Sequence, residues 1–406
     1  MYYLTITIVL ALFILNLTLS ILDYQHRNHP IPKNVAAIYN KEEYQKWLNY
    51  KMENFRLSTY TRIVNTSVLI LFLSFNFFPK MARFTEDYSS NKIIQTIIFL
   101  GIYLFINYIL NLGFDIYKIF NLEERYGFNT TTVKTFLKDQ FVSLLLSLII
   151  GTSLLYTLLF LYQRLGNTSL IYSWFIILSI ILIINVLYTR LFLRLFNKLT
   201  PLPQGDLYEK SILLAKDMGY EIRKISVMDA SKRSTKLNAF FSGFGKFKSI
   251  ILYDTLLEKL STDEIISVLA HEIGHAKNKD VIKNLLISAI QIGGYLCVLS
   301  FFLSSISFSA AFGFIDIHYG FAIILFGILL EPVGIILNIP LNFLSRKAEY
   351  KADAYAAKAG YKEAMISSLK ILAKENFSNL TPHPIVVRLT YSHPTISQRI
   401  DALIND

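Results

Sequence analysis

The chain has 406 residues, 53% of them hydrophobic and only 17% charged, against about 25% charged in an average soluble domain. That balance excludes disorder, and a lone cysteine, Cys297, excludes both a disulfide framework and a multi-cysteine zinc site. The net charge of +11 comes without a long basic run interleaved with aromatics, so it points to loops beside a membrane and not to nucleic acid.

The apolar residues lie in blocks near the roughly 20 residues that cross a bilayer. In chain order they predict spans over residues 2–22, 63–78, 93–112, 141–162, 170–191, 285–308 and 321–344. The first block has no basic leader and no A-x-A cleavage site, so it is expected to be a retained helix. With the N-terminus outside, 34 of the 40 Lys and Arg fall in the inside segments 23–62, 113–140, 197–284 and 345–406. The outside segments 79–92 and 163–169 hold 4. Positive residues collect on the cytoplasmic side, and moving the parity by one span would destroy the split. Two soluble pieces, 196–284 and 346–406, then share the inside face, with Asp280 expected at the membrane interface.

Between the fifth and sixth blocks stands His271-Glu272-Ile273-Gly274-His275, an H-E-x-x-H motif in a chain with 7 histidines. Ser261-Thr262-Asp263-Glu264 reads as a capping box that opens its helix, and Ile265, Ile266, Val268 and Leu269 keep an apolar face at helical spacing. Four residues apart, His271 and His275 lie roughly 40° from each other around the axis and can meet at one metal. Glu272, roughly 100° from His271, can reach the attacking water without binding the metal. A catalytic zinc takes three protein ligands and keeps one position open. The stretch 345–356 reads as a helix ending at Gly360, alanine-rich enough to approach the zinc helix closely. On it Glu349 and Asp353 share a face at i, i+4, so one can ligate while the other buttresses a histidine. Segment 238–253 reads as a hairpin with Gly243 and Gly245 at its turn, whose first strand could pair with an extended peptide. Glu331, beside Pro332 in the last block, is expected to line a water-filled space.

Together these motifs resemble the integral-membrane zinc CAAX prenyl proteases of type I. The resemblance rests on His271–His275, on Ser345-Arg346-Lys347-Ala348-Glu349-Tyr350-Lys351-Ala352-Asp353, and on Tyr391-Ser392-His393-Pro394-Thr395 followed by Arg399. Leu122-Glu123-Glu124-Arg125-Tyr126-Gly127-Phe128-Asn129, Leu237-Asn238-Ala239-Phe240 and Ile251-Leu252-Tyr253-Asp254-Thr255-Leu256 extend it over nearly the whole chain after the first helix. It implies a mainly α polytopic membrane protein, seven helices enclosing a chamber that a small α+β zincin-like domain closes. The expected division is a membrane unit, 1–200, and a zinc unit, 201–406, that carries the last two spans. It implies one Zn2+ per chain held by His271, His275 and Glu349. Glu272 is then the general base, His393 stabilises the reacting carbonyl, Asn238 holds substrate backbone, and Asp353 supports a ligand. The substrate would be a peptide or protein ending in C-a-a-X, prenylated in the family, and the lipid bilayer is the other partner. The chain is short and ends without K-D-E-L, which favours a bacterial plasma membrane over the endoplasmic reticulum, with the active site facing the cytoplasm. A general quality-control zinc protease of membranes would carry the same chemistry. A seven-span receptor or transporter would carry H-E-x-x-H incidentally, but the repeats of broken spans typical of transporters are not visible.

Overall fold

In the computed structural model, which describes residues 1–221, 224–243 and 249–405, each apolar block is a helix, though several blocks end or continue elsewhere than hydropathy suggests. α1 (Tyr2–His26) is a single span. α2 (Lys41–Ser74) starts at a capping box, in which Asn40 Oδ1 accepts from the Glu43 N–H and the Glu43 carboxylate accepts from the Asn40 N–H. It runs from the inside segment straight into the second span, which stops at Ser74 and not at Phe78. Asn76, at φ 56, turns the chain into a separate helix, α3 (Phe77–Tyr88). Phe78, counted into the span by hydropathy, instead sits with Met81 and Ala82 on the buried face of α3.

The third span is α4 (Lys92–Tyr117), capped by Asn91. α5 (Val133–Leu146) and α6 (Thr152–Leu165) form one rod through a π-helical turn at Ser147–Gly151. Gly166, at φ 55, then reverses the chain into α7 (Ser169–Leu187), which packs back on α6. A left-handed residue of this kind strongly favours glycine. Six described stretches are long and apolar enough to cross a membrane, and the one at Val133–Phe196 folds back at Gly166, so the crossings number seven.

After α8 (Leu193–Phe196) the chain builds the small α+β unit: β1 (Leu199–Pro201), α9 (Asp206–Asp217), β2 (Ile225–Met228), β3 (Ala239–Ser242) and β4 (Ser249–Tyr253). The sheet order is β1-β2-β4-β3, with β2 parallel to β4 and the other pairs antiparallel. The expected hairpin is β3–β4, with Ala239 opposite Leu252 and Ser242 opposite Ser249. Gly243 takes φ 82 at its turn, and Gly245 lies outside the described residues. Among the described residues β3 is an edge strand, with no strand paired on its outer side. α10 (Asp254–Lys259) leads to α11 (Thr262–Lys277), whose Ile266, Leu269 and Ile273 are fully buried in the core of this unit.

α12 (Asp280–Ser304) is the sixth span; Ser305 is extended and separates it from the short α13 (Ile306–Ala310), so this span is shorter at its far end than the predicted 285–308. α14 (Tyr319–Ala356) is the seventh span and the expected Glu349 helix in one rod, with Pro332 and Pro340 inside it. Gly360 terminates it at φ 88, where the sequence placed the stop. α15 (Lys362–Glu375), α16 (Pro384–Thr390) and α17 (Ile396–Asn405) close the domain around α11 and α14.

The apolar packing is divided. One cluster surrounds α11, and another, around Phe78, Phe99 and Phe321, ties the opposite ends of the spans together. Between them, only 6% to 17% of residues are buried in the apolar windows of five of the six stretches. Apolar faces left uncovered along the middle of the spans are those that meet the hydrocarbon of a bilayer.

Candidate metal centre and active site

The capping box of α11 forms as its sequence suggests: Ser261 Oγ accepts from the Glu264 N–H, and Glu264 Oε2 accepts from the Ser261 N–H at 2.8 Å. The helix then crosses α14 at Gly274, where a Cβ would stand 3.0 Å from Ala352 Cα. Small residues at that crossing let both histidines reach the carboxylates of α14. The His271 and His275 Nε2 atoms are 3.2 Å apart. Glu349 Oε1 is 3.2 Å from His275 Nε2, and Glu349 Oε2 is 3.6 Å from His271 Nε2. Zinc bonds of roughly 2.0–2.1 Å in a tetrahedron set ligand atoms roughly 3.3 Å apart, close to this triangle. Buried Glu349 Oε2 also lies 3.0 Å from His393 Nδ1 and 3.6 Å from Arg399 Nη1. Two imidazole nitrogens and one carboxylate converging on one point are the donors a catalytic zinc takes, so the donor set fits zinc. Burial by itself would lower the pKa of His275, but the Glu349 and Asp280 carboxylates outweigh it and hold the imidazole raised to about 9. The site draws in positive charge.

Each histidine is oriented from behind. His271 Nδ1 lies 2.8 Å from Asp353 Oδ1, and Arg399 donates to Asp353 from Nε at 2.8 Å and from Nη2 at 2.6 Å. His275 Nδ1 lies 3.0 Å from Asp280 Oδ2. Asp280, expected only to flank the sixth span, opens that span and also holds a site histidine. Lys279, at φ 57, bends the chain so that the first residue of α12 points back at the second histidine. The signal available in the sequence was an acid five residues after His275, at the threshold of an apolar block. Arg399 was visible only as part of a motif, with no partner attached to it.

Glu272 is held differently. Its Oε2 accepts from the Phe241 N–H at 3.0 Å, and desolvation pushes its carboxyl above the usual range. Phe241 belongs to the edge strand β3, at whose start exposed Asn238 accepts the Ala239 N–H on its side chain and the Tyr253 N–H on its backbone oxygen. His393, 64% exposed, stands over the carboxylate side. Asn238, Glu272, His275, Glu349 and His393 line one cavity of about 450 Å³. His318 is remote from it, capping the far end of α14, and His26, His29 and His383 gather elsewhere. Glu331 is exposed mid-way along the α14 span.

Comparison with known proteins now bears on this geometry. Residues 20–198 match the family described as CAAX prenyl protease N-terminal, five membrane helices. Residues 201–405, half of the chain and all of the metal centre, match Peptidase family M48. The chain belongs to family M48. CAAX prenyl protease 1 homolog of Arabidopsis thaliana is 32% identical over 92% of this chain and 90% of its own length. CAAX prenyl protease 1 of Saccharomyces cerevisiae is 30% identical over 92% and 88%. The crystal structure of S. mikatae Ste24p shares the fold at a TM-score of 0.92 and 30% identity, covering 99% of this chain and 98% of that one. This M48 member is therefore a multi-pass membrane zinc metalloendopeptidase of the CAAX prenyl protease type, acting on a peptide or protein substrate.

Proposed function

We propose that the enzyme cleaves prenylated C-a-a-X substrates near their C-terminus on the cytoplasmic face, with His271, His275 and Glu349 holding one zinc ion. The observation that carries the residue assignment is the triangle of two Nε2 atoms and the buried Glu349 carboxylate, with ligand atoms within 4.8 Å of one another. When bound, zinc polarises the scissile carbonyl and lowers the pKa of the attacking water. The substrate lies extended along the open side of β3. There it takes over the Phe241 N–H, which in the free enzyme is given to Glu272. Glu272, freed from that bond, removes a proton from the attacking water and passes it to the leaving amine. His393 donates to the developing oxyanion, Asn238 holds substrate backbone, and Asp353 and Asp280 keep their histidines aimed.

The prenylated substrate is supported by the names of the relatives. The cytoplasmic orientation is supported by 34 of 40 Lys and Arg on one side. A division into units 1–200 and 201–406 is supported by the two family matches, which abut at β1. The deciding experiment compares one C-a-a-X peptide with and without a farnesyl group. At least a tenfold higher kcat/KM for the farnesylated form is expected; equal values would overturn the substrate class and favour a general membrane protease.

A further inference from the structure

A second cavity, of about 830 Å³, opens beside α14 away from the metal centre and is larger than the active-site cavity. Phe343 and Lys347 line it and project roughly 120° and 160° from Glu349 around the helix axis. Its apolar wall is Ile339, Pro340 and Phe343, on the last turns of the seventh span. His26, the final residue of the first span, also lines it, so the cavity sits where two spans meet the membrane surface.

The charges there have one sign. Arg346, Lys347 and Arg388 line the cavity, and no Asp or Glu is among the described residues that do. Arg346 is fixed by the carbonyls of Val387 and Tyr391, and Lys347 Nζ lies 4.8 Å from the Phe343 ring centre. None of the three takes part in an ion pair among the described residues.

We propose that this cavity binds an anionic phospholipid, its phosphate held by Arg346, Lys347 and Arg388. Unneutralised basic side chains at a membrane surface attract acidic lipid headgroups. A lipid, and not a free anion, is the occupant because the apolar wall continues onto exposed Ile336 and Leu344 of the same span, where acyl chains can lie. Tyr350, next to Glu349, and Thr395, two residues after His393, also line the cavity. A lipid bound here braces the helix and the loop that carry those two site residues.

The proposal goes beyond the protease reading and is tested without the reaction. The purified full-length protein in neutral detergent is titrated with dioctanoyl phosphatidylglycerol by calorimetry. Saturable binding is expected, with none to dioctanoyl phosphatidylcholine. Lys347→Ala/Arg388→Ala should weaken it about 30-fold, five- to six-fold for each basic side chain removed. Lys80→Ala/Arg83→Ala, at the other end of the spans, should leave it unchanged. Zinc content reports that each variant is folded; should the double variant fail, Arg388→Ala, on the exposed side of α16, decides by the same five- to six-fold criterion. Undiminished affinity in the variants, equal binding of phosphatidylcholine, or inorganic phosphate binding as tightly as the lipid would each overturn the proposal.

Discussion

Asp353→Ala and Asp280→Ala each remove a carboxylate from behind a metal-facing histidine, yet they should not cost the same zinc affinity. Losing such a partner costs about 10- to 100-fold. Asp280 is 14% exposed and shares its other oxygen with Lys283, whose side chain is 58% exposed. Without Asp280 that lysine swings into water, so the loss should stay near tenfold. Asp353 is 2% exposed and takes both donors of Arg399, itself 11% exposed. Its removal leaves a buried guanidinium 3.3 Å from His271 Nδ1, and its one remaining ion-pair partner among the described residues is Glu349, 3.6 Å from Nη1, the carboxylate that also faces the metal position. The loss should therefore reach 100-fold or more, and Asp353→Ala/Arg399→Met should recover part of it by removing the stranded charge. Competition against a chelator of known zinc affinity, at fixed pH, measures all three variants. If Asp280→Ala costs as much as Asp353→Ala, or the double variant binds no better than Asp353→Ala, the stranded-charge argument is wrong.

Glu272→Gln should retain zinc and lose cleavage by about 10²- to 10⁴-fold, because an amide cannot take the proton; normal turnover in the zinc-loaded variant would remove Glu272 from the mechanism. His393→Ala should lower kcat about 10²- to 10³-fold with KM much less affected and zinc retained, as expected of a donor to the oxyanion. Loss of zinc in that variant would make His393 a ligand. Zinc must displace the proton that His275 holds up to about pH 9 in the metal-free protein. Affinity should therefore rise about tenfold per pH unit from pH 7 and level off above about 9, and a flat profile over that range would refute the raised imidazole. In a Cys297→Ser background, a cysteine at exposed Lys80 or Ile315 should label from outside sealed cells and one at Lys232 should not; the reverse pattern would invert the orientation.

What was legible in the sequence is what depends on near neighbours. The span blocks, the capping box at Ser261, the stop at Gly360 and the shared face of His271 and His275 all follow from helical periodicity and local hydrogen bonds. Their edges were less certain, because hydropathy counts apolar residues without asking which face they occupy. Phe78 was therefore assigned to a span although it packs inside α3.

Contacts made across the chain were settled only by the tertiary structure. Glu349 and Asp353 had equal claims on the metal by spacing; the crossing of α11 and α14 at Gly274 and Ala352 turns Glu349 to both Nε2 atoms and Asp353 to Nδ1 of His271. Asp280 acquires its partner through one left-handed residue, Lys279, which no hydrophobic pattern encodes. Among the described residues β3 is an edge because β4 pairs in parallel with β2, a strand some 20 residues upstream, on its other side. Local sequence sets which helices and strands form, since their hydrogen bonds close within a few residues. The side chains that meet at the metal are decided by packing between elements far apart in the chain, and short-range spacing carries no record of it.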